Sequence, residues 1–288
     1  MPNSSYIFIT GATSGIGKAA AMQLASEGKV VIAASRNPRK GAALLSDFRE
    51  LYPKAKGRIE LVECNLGSFE SIAMACEEIV ESYHHVDAVI NNAGVMLKDF
   101  QESHNGIEKT WQVNVLAPML ISHLLMPAFK HVLEPKLIFS SSGFHIGKVD
   151  LKDPEFQKKR YVSWQAYRQS KLALILLTRL LAPKLTEKDI GIYVQHPGLV
   201  NTGINRSSGF LLKLMFDTFA MPPEKGAQTL LHLASTPNDE LISGEYYVNS
   251  RVKKSATGAY DLVHAEALHA LVREYLKDYI GEGSLVFD

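Results

Sequence analysis

Short apolar segments alternate with longer amphipathic segments along the chain. The apolar segments are rich in Val and Ile, as in strands buried on both faces of a parallel sheet. With the exit turns of the fourth and sixth included, they lie at 6–10, 30–34, 58–63, 86–94, 136–143, 191–198 and 244–248. The intervening segments repeat apolar residues at helical spacing and predict helices that include 18–27, 38–51, 68–83, 105–130, 223–235 and 261–279. We therefore predict an α/β fold. It is a Rossmann-type, doubly wound parallel sheet of about seven strands with helices on both faces, in a single domain over 1–288.

The first predicted strand leads into a turn that contains three glycines. Its sequence is Thr-Gly-Ala-Thr-Ser-Gly-Ile-Gly, and a helical pattern follows until Gly28. Glycine allows the backbone to approach a phosphate closely, and the N–H groups at a helix start attract an anion. The spacing G-x-x-x-G-x-G differs from the usual dinucleotide fingerprint G-x-G-x-x-G. The predicted phosphate cradle consists of Gly11, Thr13, Ser14, Gly15, Ile16 and Gly17.

The loop after the second predicted strand indicates which dinucleotide binds. An NAD site has a carboxylate roughly 20 residues after the glycine turn, where it accepts hydrogen bonds from the ribose 2′-hydroxyl. Ser35 and Arg36 lie in that region, so the carboxylate is missing and a guanidinium suited to a phosphate is present. A solvated basic loop is the alternative interpretation, above all for Arg39 and Lys40. We predict NADP(H) as the cofactor in preference to NAD.

Three further motifs carry polar groups near predicted strand ends or within a helix. Asn91-Asn92-Ala93-Gly94 follows the fourth strand, where the two amides can link adjacent strand ends. Asn114 lies in an apolar helical pattern, and Pro118, which lacks an N–H, leaves the Asn114 carbonyl without its usual helical partner. Three serines, 140–142, end the fifth strand at the sheet edge where α/β folds bind ligands.

Tyr167 and Lys171 form a candidate acid–base pair. Their i, i+4 spacing places both on one face of a predicted helix, with the ammonium beneath the phenol. A tyrosine with a pKa of ~10 is a poor acid–base catalyst at neutral pH, and a nearby cation lowers that pKa. The pattern Tyr-x-x-x-Lys is common by chance. It indicates a catalytic pair here because the glycine turn, Asn-Asn-Ala-Gly, Asn114 and the strand-end serines precede it in order.

Taken in order, the glycine turn, Asn-Asn-Ala-Gly and Tyr-x-x-x-Lys resemble the short-chain dehydrogenase/reductase family. The resemblance spans residue 5 to about residue 250. Between Ser142 and Tyr167 the chain has an insertion, and the insertion and the preceding Ser-Ser-Gly-Phe-His resemble the retinol-dehydrogenase-like branch. Ser243-Gly-Glu-Tyr-Tyr resembles the same branch.

The resemblance implies a catalytic set of Asn114, Ser142, Tyr167 and Lys171. In the family the tyrosine transfers a proton to or from the substrate oxygen, and the serine positions and polarises that oxygen. The lysine lowers the tyrosine pKa and binds the ribose hydroxyls, and the asparagine lies at a helix irregularity whose carbonyl holds a relay water. Alignment selects Ser142 as the catalytic serine and Ser141 as its neighbour, and a slip of one residue would exchange them.

The resemblance also extends the cofactor site and adds a lid. Asn65, next to Leu66, stands where the family usually has an aspartate that binds adenine, and an amide can still donate and accept there. Residues 205–221 correspond to a mobile lid, whose apolar sequence predicts an apolar substrate, a membrane contact or a partner subunit. The implied ribose and nicotinamide contacts come from Asn92, Ala93, Gly94, Tyr167, Lys171, Pro197, Gly198, Val200 and Thr202.

Composition narrows the remaining choices. With 46% hydrophobic residues and a formal net charge of +1, the sequence shows neither disorder nor a basic surface for nucleic acid. Since no apolar run reaches the ~20 residues of a membrane span and the first strand begins close to Met1, we expect a cytoplasmic protein without a signal peptide. Cys64 and Cys76 are expected to be buried free thiols. We expect no metal site, and either a monomer or a homodimer.

These observations predict an NADP(H)-dependent carbonyl reductase or alcohol dehydrogenase. It would move a hydride between nicotinamide and the carbonyl or hydroxyl carbon of an apolar aldehyde, ketone, or retinoid- or steroid-like alcohol. Two alternatives stay open. One is a catalytically silent NADP(H)-binding sensor or scaffold protein, and the other is an epimerase or dehydratase of the extended family.

Overall fold

The computed structural model describes residues 5–198, 222–281 and 286. In them, one sheet has the strand order β3-β2-β1-β4-β5-β6-β7-β8. The strands are β1 (Tyr6–Thr10), β2 (Val30–Ser35), β3 (Arg58–Glu63), β4 (Ala88–Asn91), β5 (Lys136–Ser140), β6 (Gly191–His196), β7 (Tyr246–Val248) and β8 (Arg251–Val252). Strands β1 to β7 are parallel, and β8 pairs antiparallel with β7. The strand order reverses between β1 and β4, which is where open α/β sheets form a ligand crevice.

Helices connect the parallel strands. They are α1 (Gly15–Ser26), α2 (Pro38–Leu51), α3 (Phe69–Ser82), α4 (Lys109–Trp111), α5 (Ala117–Leu124), α6 (Ser163–Thr186), α7 (Pro223–Ser235) and α8 (Leu262–Leu276). A π-helical turn, Gln112–Leu116, joins α4 to α5, and 3-10 turns lie at Met126–Phe129, Asn238–Glu240 and Thr257–Tyr260. Ser68 caps the N-terminus of α3, since its hydroxyl accepts the N–H of Ser71 at 3.2 Å.

Strand β1 shows how the sheet divides the apolar core into two layers. Ile7 and Ile9 belong to the cluster that includes α1 and α7, whereas Phe8 between them belongs to the cluster that includes α5 and α6. All three side chains are buried, as expected of a strand covered on both faces. The predicted doubly wound α/β architecture is therefore confirmed.

Two details differ from the sequence-based expectation. The sheet has an eighth strand, β8, whose two exposed residues are too few to produce a recognisable apolar pattern. The continuous helix predicted over 105–130 begins only at Lys109, and the π turn and a 3-10 turn interrupt it. The apolar residues from Ala117 to Ile121 are buried in α5. The apolar pattern therefore predicted which residues are buried and did not predict the type of helix.

Two further expectations concern thiols and membranes. Cys64 and Cys76 are buried and unpaired, as predicted. Within the described residues, no helix combines the length and the hydropathy needed to span a bilayer. The same residues contain no group of three or more His, Cys, Asp or Glu side chains arranged to hold a metal ion.

Candidate active site

The glycine turn between β1 and α1 is packed so closely that two of its glycines have no room for a side chain. Gly11 has a φ of +71°, in the left-handed region. A Cβ on Gly17 would overlap the carbonyl oxygen of Gly11 and lie 2.5 Å from Nδ2 of Asn92. The Ser14 side chain forms no capping hydrogen bond with α1, and the first turn has no acidic residue. The start of α1 therefore suits an anion.

We expect Gly17→Ala to lower the free energy of unfolding by about 1–3 kcal/mol, because the added methyl group displaces packed backbone. Urea denaturation followed by circular dichroism measures the change. Gly281→Ala is the control, since a Cβ at Gly281 meets no atom within 4 Å. Equal urea midpoints for the two variants would contradict the packing argument.

Asn92 links the ends of three neighbouring strands. Its Nδ2 donates to the carbonyl of Thr10 at 3.1 Å, and its Oδ1 accepts from the Ser140 hydroxyl at 3.4 Å. The Thr10 hydroxyl in turn accepts the N–H groups of Asn92 at 3.1 Å and Ala93 at 3.0 Å. The expected amide link between strand ends is thus present, and it fixes the backbone that leads to Gly94.

Asn114 is fully buried and lies in the π-helical turn. Its Oδ1 accepts the N–H of Val95 at 2.8 Å, and its Nδ2 donates to the Val95 carbonyl at 2.9 Å and to the Ser170 hydroxyl at 2.9 Å. The amide therefore connects the strand-end loop to α6. Because Pro118 has no N–H, the Asn114 carbonyl cannot receive the ordinary i+4 hydrogen bond. The predicted helix irregularity is confirmed as a π turn.

The three serines that end β5 have different partners. Ser140 accepts from Nε2 of Gln195 at 2.8 Å, and Ser141 donates to the Lys171 carbonyl at 2.8 Å. Ser142 is the one whose hydroxyl acts on Tyr167, where it favours the phenolate and so lowers the pKa of the phenol. These contacts favour Ser142 over Ser141 as the serine that faces the phenol.

Tyr167 and Lys171 lie one turn apart on α6, and the Lys171 Nζ is 5.7 Å from the centroid of the Tyr167 ring. Nζ donates to the Ser140 carbonyl at 2.8 Å, and a Cβ on Gly94 would lie 3.0 Å from it. Burial raises the pKa of Tyr167, while the hydrogen bond with Ser142 lowers it. Burial lowers the pKa of Lys171 to about 8. The pKa of Tyr167 is thus raised, opposite to the expected direction, because desolvation disfavours the phenolate.

The residues predicted to hold the adenosine half lie at the same sheet edge, beyond β2 and β3. The Ser35 hydroxyl donates to the Asn37 carbonyl at 3.0 Å, and the neighbouring Arg36 is exposed. The Asn65 Oδ1 accepts the N–H of Gly67 at 3.1 Å, and Leu66 is half-buried beside it.

The residues predicted to hold the nicotinamide are described in part. Pro197 and Gly198 follow β6 at the carboxyl edge of the sheet. Val200, Thr202 and the predicted lid, 205–221, lie outside the described residues.

Several residues that shape the site were not predicted. Thr10 anchors the Asn92 loop, and Ser170 joins Asn114 to the turn of Tyr167, whose carbonyl accepts the Ser170 hydroxyl at 2.7 Å. The sequence could have indicated both residues, because Thr10 stands directly before the glycine turn and Ser170 lies inside Tyr-x-x-x-Lys. The motif Ser-Ser-Gly-Phe-His contains His145 but predicts no role for it. In the structure, the His145 Nδ1 lies 2.6 Å from the Ser142 carbonyl oxygen.

A family model described as short chain dehydrogenase matches residues 5–209. The chain belongs to this family. It is 34% identical over 261 residues to retinol dehydrogenase 12 of Mus musculus, an alignment that covers 87% of this chain and 82% of the relative. The chain is therefore an oxidoreductase of the retinol-dehydrogenase-like branch that acts on CH–OH groups.

Solved structures share the fold. An uncharacterized protein from Mycobacterium paratuberculosis superposes with a TM-score of 0.76 at 27% identity, over 95% of this chain and 93% of that one. Pseudomonas aeruginosa RhlG in its NADP active-site complex superposes with a TM-score of 0.68 at 21% identity, over 90% of this chain and 96% of that one.

Proposed function

We propose that this protein is an NADP(H)-dependent oxidoreductase that transfers a hydride between nicotinamide and the carbonyl or hydroxyl carbon of an apolar substrate. The observation that carries the proposal is the convergence of Ser142, Tyr167, Lys171 and Asn114 at the carboxyl edge of the sheet. The Ser142 hydroxyl is close enough to Tyr167 to lower the pKa of the phenol, and the space over Gly94 is bounded by the Lys171 ammonium and the Asn114 amide.

The residues present fit a dinucleotide. Gly11 and Gly17 let the turn pack directly against Asn92 and Ala93, and the uncapped start of α1 offers N–H groups to a diphosphate. Thr13, Ser14, Gly15 and Ile16 complete the predicted phosphate cradle. Asn65 and Leu66 would hold the adenine. The ribose and nicotinamide would contact Asn92, Ala93, Gly94, Tyr167, Lys171, Pro197, Gly198, Val200 and Thr202.

The preference for NADP(H) is proposed from the loop after β2. Arg36 is exposed next to Ser35, and its guanidinium can bind a 2′-phosphate through two parallel hydrogen bonds. The absence of a carboxylate in this loop removes the group that would repel that phosphate. RhlG has the same fold, and its solved structure contains NADP, the cofactor that carries the additional 2′-phosphate.

When bound, the cofactor supplies or accepts the hydride. In the reductive direction, Tyr167 donates its phenolic proton to the substrate oxygen, and Ser142 donates a hydrogen bond that positions and polarises that oxygen. Phenolate and ammonium are each disfavoured by burial, so Lys171 and the developing charge on Tyr167 stabilise each other. Oxidation uses the same groups in reverse.

Asn114 supplies the route by which the proton of Tyr167 is replaced. Its side-chain amide is saturated by Val95 and Ser170, so the amide serves to hold the backbone. Its carbonyl lacks the i+4 donor because residue 118 is proline, and this carbonyl would bind a water. We assign to this water the relay between the site and solvent.

Side chains around the site support an apolar substrate. Phe144 and Ile146 follow Ser142 in its loop, and Trp164 precedes Tyr167 by three residues on α6. All three are exposed large hydrophobic side chains. Apolar groups left exposed next to reactive ones are typical of a binding surface.

A spectrophotometric panel tests the proposal. The purified protein is mixed with NADPH and, separately, with decanal, all-trans-retinal, benzaldehyde and a steroid ketone, and absorbance at roughly 340 nm is followed. We expect NADPH consumption with at least one apolar carbonyl. NADPH binding without turnover of any compound would favour the catalytically silent sensor or scaffold.

We expect Arg36→Asp to lower kcat/KM for NADPH by about 10- to 100-fold, the cost of losing charged hydrogen bonds to a phosphate. The same change favours NADH, because a carboxylate can accept hydrogen bonds from the 2′-hydroxyl. Initial rates with each coenzyme give the selectivity ratio.

Arg39→Asp is the matched control for Arg36→Asp, since Arg39 is also exposed and lies in the first turn of α2. It introduces the same change in charge a few residues away. A selectivity ratio that moves equally in both variants would show a general electrostatic effect and would reject the phosphate contact for Arg36.

A further inference from the structure

We propose that His145 is a positioning residue that holds the backbone of Ser142, assisted by Tyr246, so that the Ser142 hydroxyl faces Tyr167. The inference rests on the proposed function, because it assigns the role through Ser142. It concerns a group that does not touch the reacting atoms. His145 is 5% exposed and Tyr246 is 3% exposed, so both lie behind the site.

The turn that follows Ser142 is closed by two hydrogen bonds to that residue. The Ser142 Oγ accepts the N–H of Phe144 at 3.2 Å. The Ser142 carbonyl oxygen lies 2.6 Å from Nδ1 of His145. Since a hydroxyl that accepts a backbone N–H still has its own proton, Ser142 can donate that proton toward Tyr167. The geometry of this donation depends on the turn.

The second nitrogen of His145 fixes the tautomer. Nε2 accepts the N–H of Ala256 at 2.9 Å, so Nε2 carries no proton and Nδ1 is the donor to the Ser142 carbonyl. Burial lowers the pKa of His145, the positive charge of Arg179 lowers it further, and the hydrogen bond to Ser142 opposes both. The imidazole is therefore neutral at neutral pH, and both of its nitrogens are occupied.

Tyr246, at the start of β7, supports the same carbonyl. Its ring centroid lies 4.7 Å from that of His145 in an edge-to-face arrangement, and its hydroxyl donates to the Ser142 carbonyl at 3.5 Å. Two donors thus converge on one backbone oxygen. Such convergence fixes the peptide plane of Ser142 more strongly than either contact alone.

The segment that contains Ala256 fixes the loop at a second point. Gly258 packs against Gly147, so closely that a Cβ on Gly258 would overlap the Gly147 carbonyl oxygen. The loop from Ser142 to Gly147 is therefore held at His145 and at Gly147 by residues in or next to the 3-10 turn Thr257–Tyr260. His145 is the side chain that transmits this support to Ser142.

Two substitutions separate the two hydrogen bonds of His145. In His145→Asn, the amide nitrogen can occupy the position of Nδ1 and keep the donor to Ser142. In His145→Gln, the amide group extends to the position of Nε2, so the Ala256 contact is kept and the Ser142 donor is lost. We expect His145→Asn to retain at least about a third of wild-type kcat. We expect His145→Gln to lose about 10- to 100-fold, the cost of misplacing a reacting group by ~1 Å.

The measurements are kcat with the best aldehyde of the panel, the Kd for NADPH and the thermal midpoint, for both variants and for the exposed control His131→Gln. A structural change alone would lower stability and NADPH binding together with kcat, whereas a positioning role lowers kcat with an unchanged Kd. Equal kcat values for the Asn and Gln variants, or a lower value for Asn, would overturn the inference. If His145→Gln fails to fold, Tyr246→Phe decides: kcat should fall about two- to threefold, and an unchanged kcat overturns the inference.

Crystal structures of the two His145 variants give a readout that does not require turnover. The Ser142 hydroxyl should keep its wild-type orientation toward Tyr167 in His145→Asn and lose it in His145→Gln. If the orientation is the same in both variants, the inference is overturned. If the wild-type protein is inactive on the panel while this pattern is observed, the proposed function fails and the positioning role stands.

Discussion

Tyr167→Phe is expected to lower kcat by about 10²–10⁴-fold while NADPH binds as in the wild-type protein, the effect of removing one acid–base group from the reacting centre. The Ser142 hydroxyl lowers the pKa of the phenol and the Lys171 ammonium lies 5.7 Å from its ring, so the phenol is the group placed to exchange a proton with a substrate oxygen. Phenylalanine keeps the ring and removes only this proton. Steady-state kinetics and fluorescence titration with NADPH measure the two effects separately.

Tyr193→Phe is the matched control for this substitution. Tyr193 is fully buried in β6, and its hydroxyl donates to Asn238 at 3.0 Å, outside the site. The control should lower the thermal midpoint, because a buried hydrogen bond is lost, and leave kcat within about twofold of wild type. Turnover by Tyr167→Phe at the control's rate would remove the phenol from the mechanism.

Lys171→Met is expected to lower kcat/KM for carbonyl reduction by about 10²–10³-fold, the loss typical of removing one preorganised electrostatic group. Methionine preserves the buried straight chain and removes the ammonium. The substitution should also change the pH dependence. Because burial lowers the pKa of Lys171 to about 8, the ammonium is present below pH 8 and is lost above it. Reduction by the wild-type protein should therefore decline as pH rises through 8, and this decline should be absent in Lys171→Met.

Lys136→Met serves as the control for the lysine experiment. Lys136 is also buried, donates to a backbone carbonyl, that of Thr236, and has a pKa that burial lowers. It lies at the start of β5, at the opposite edge of the sheet from the site. We expect this variant to be less stable and still to show the decline in carbonyl reduction as pH rises through 8. A pH profile that persists unchanged in Lys171→Met would assign the decline to another group.

Sequence reasoning succeeded where a residue type has a fixed local consequence. Pro118 has no N–H to donate to the carbonyl four residues before it, and the predicted irregularity around Asn114 is present as a π turn. The alternation of Ile7, Phe8 and Ile9 between the two layers follows from the geometry of any strand.

Sequence reasoning was incomplete where the outcome depends on contacts between distant parts of the chain. The residues alone left Ser141 open beside Ser142, alignment with the family selected Ser142, and the different partners of the two serines support that selection. The hydrogen bond from the Tyr246 hydroxyl to the Ser142 carbonyl could not be predicted for the same reason, since the two residues lie 104 positions apart in the sequence. The direction of the Tyr167 pKa also depends on burial, which spacing alone does not report.

The two buried cysteine thiols, of Cys64 and Cys76, can report how often the folded structure opens. Burial raises the pKa of Cys64 to about 12, so at pH 7 only about one molecule in 10⁵ carries the reactive thiolate. Cys76 is shielded in the same way. Alkylating reagents and peroxides therefore modify these side chains only in molecules whose sheet and helices have separated. The rate of labelling in assay buffer measures that separation without an engineered probe, and its slowing by a dinucleotide would measure how much the ligand stabilises the native chain.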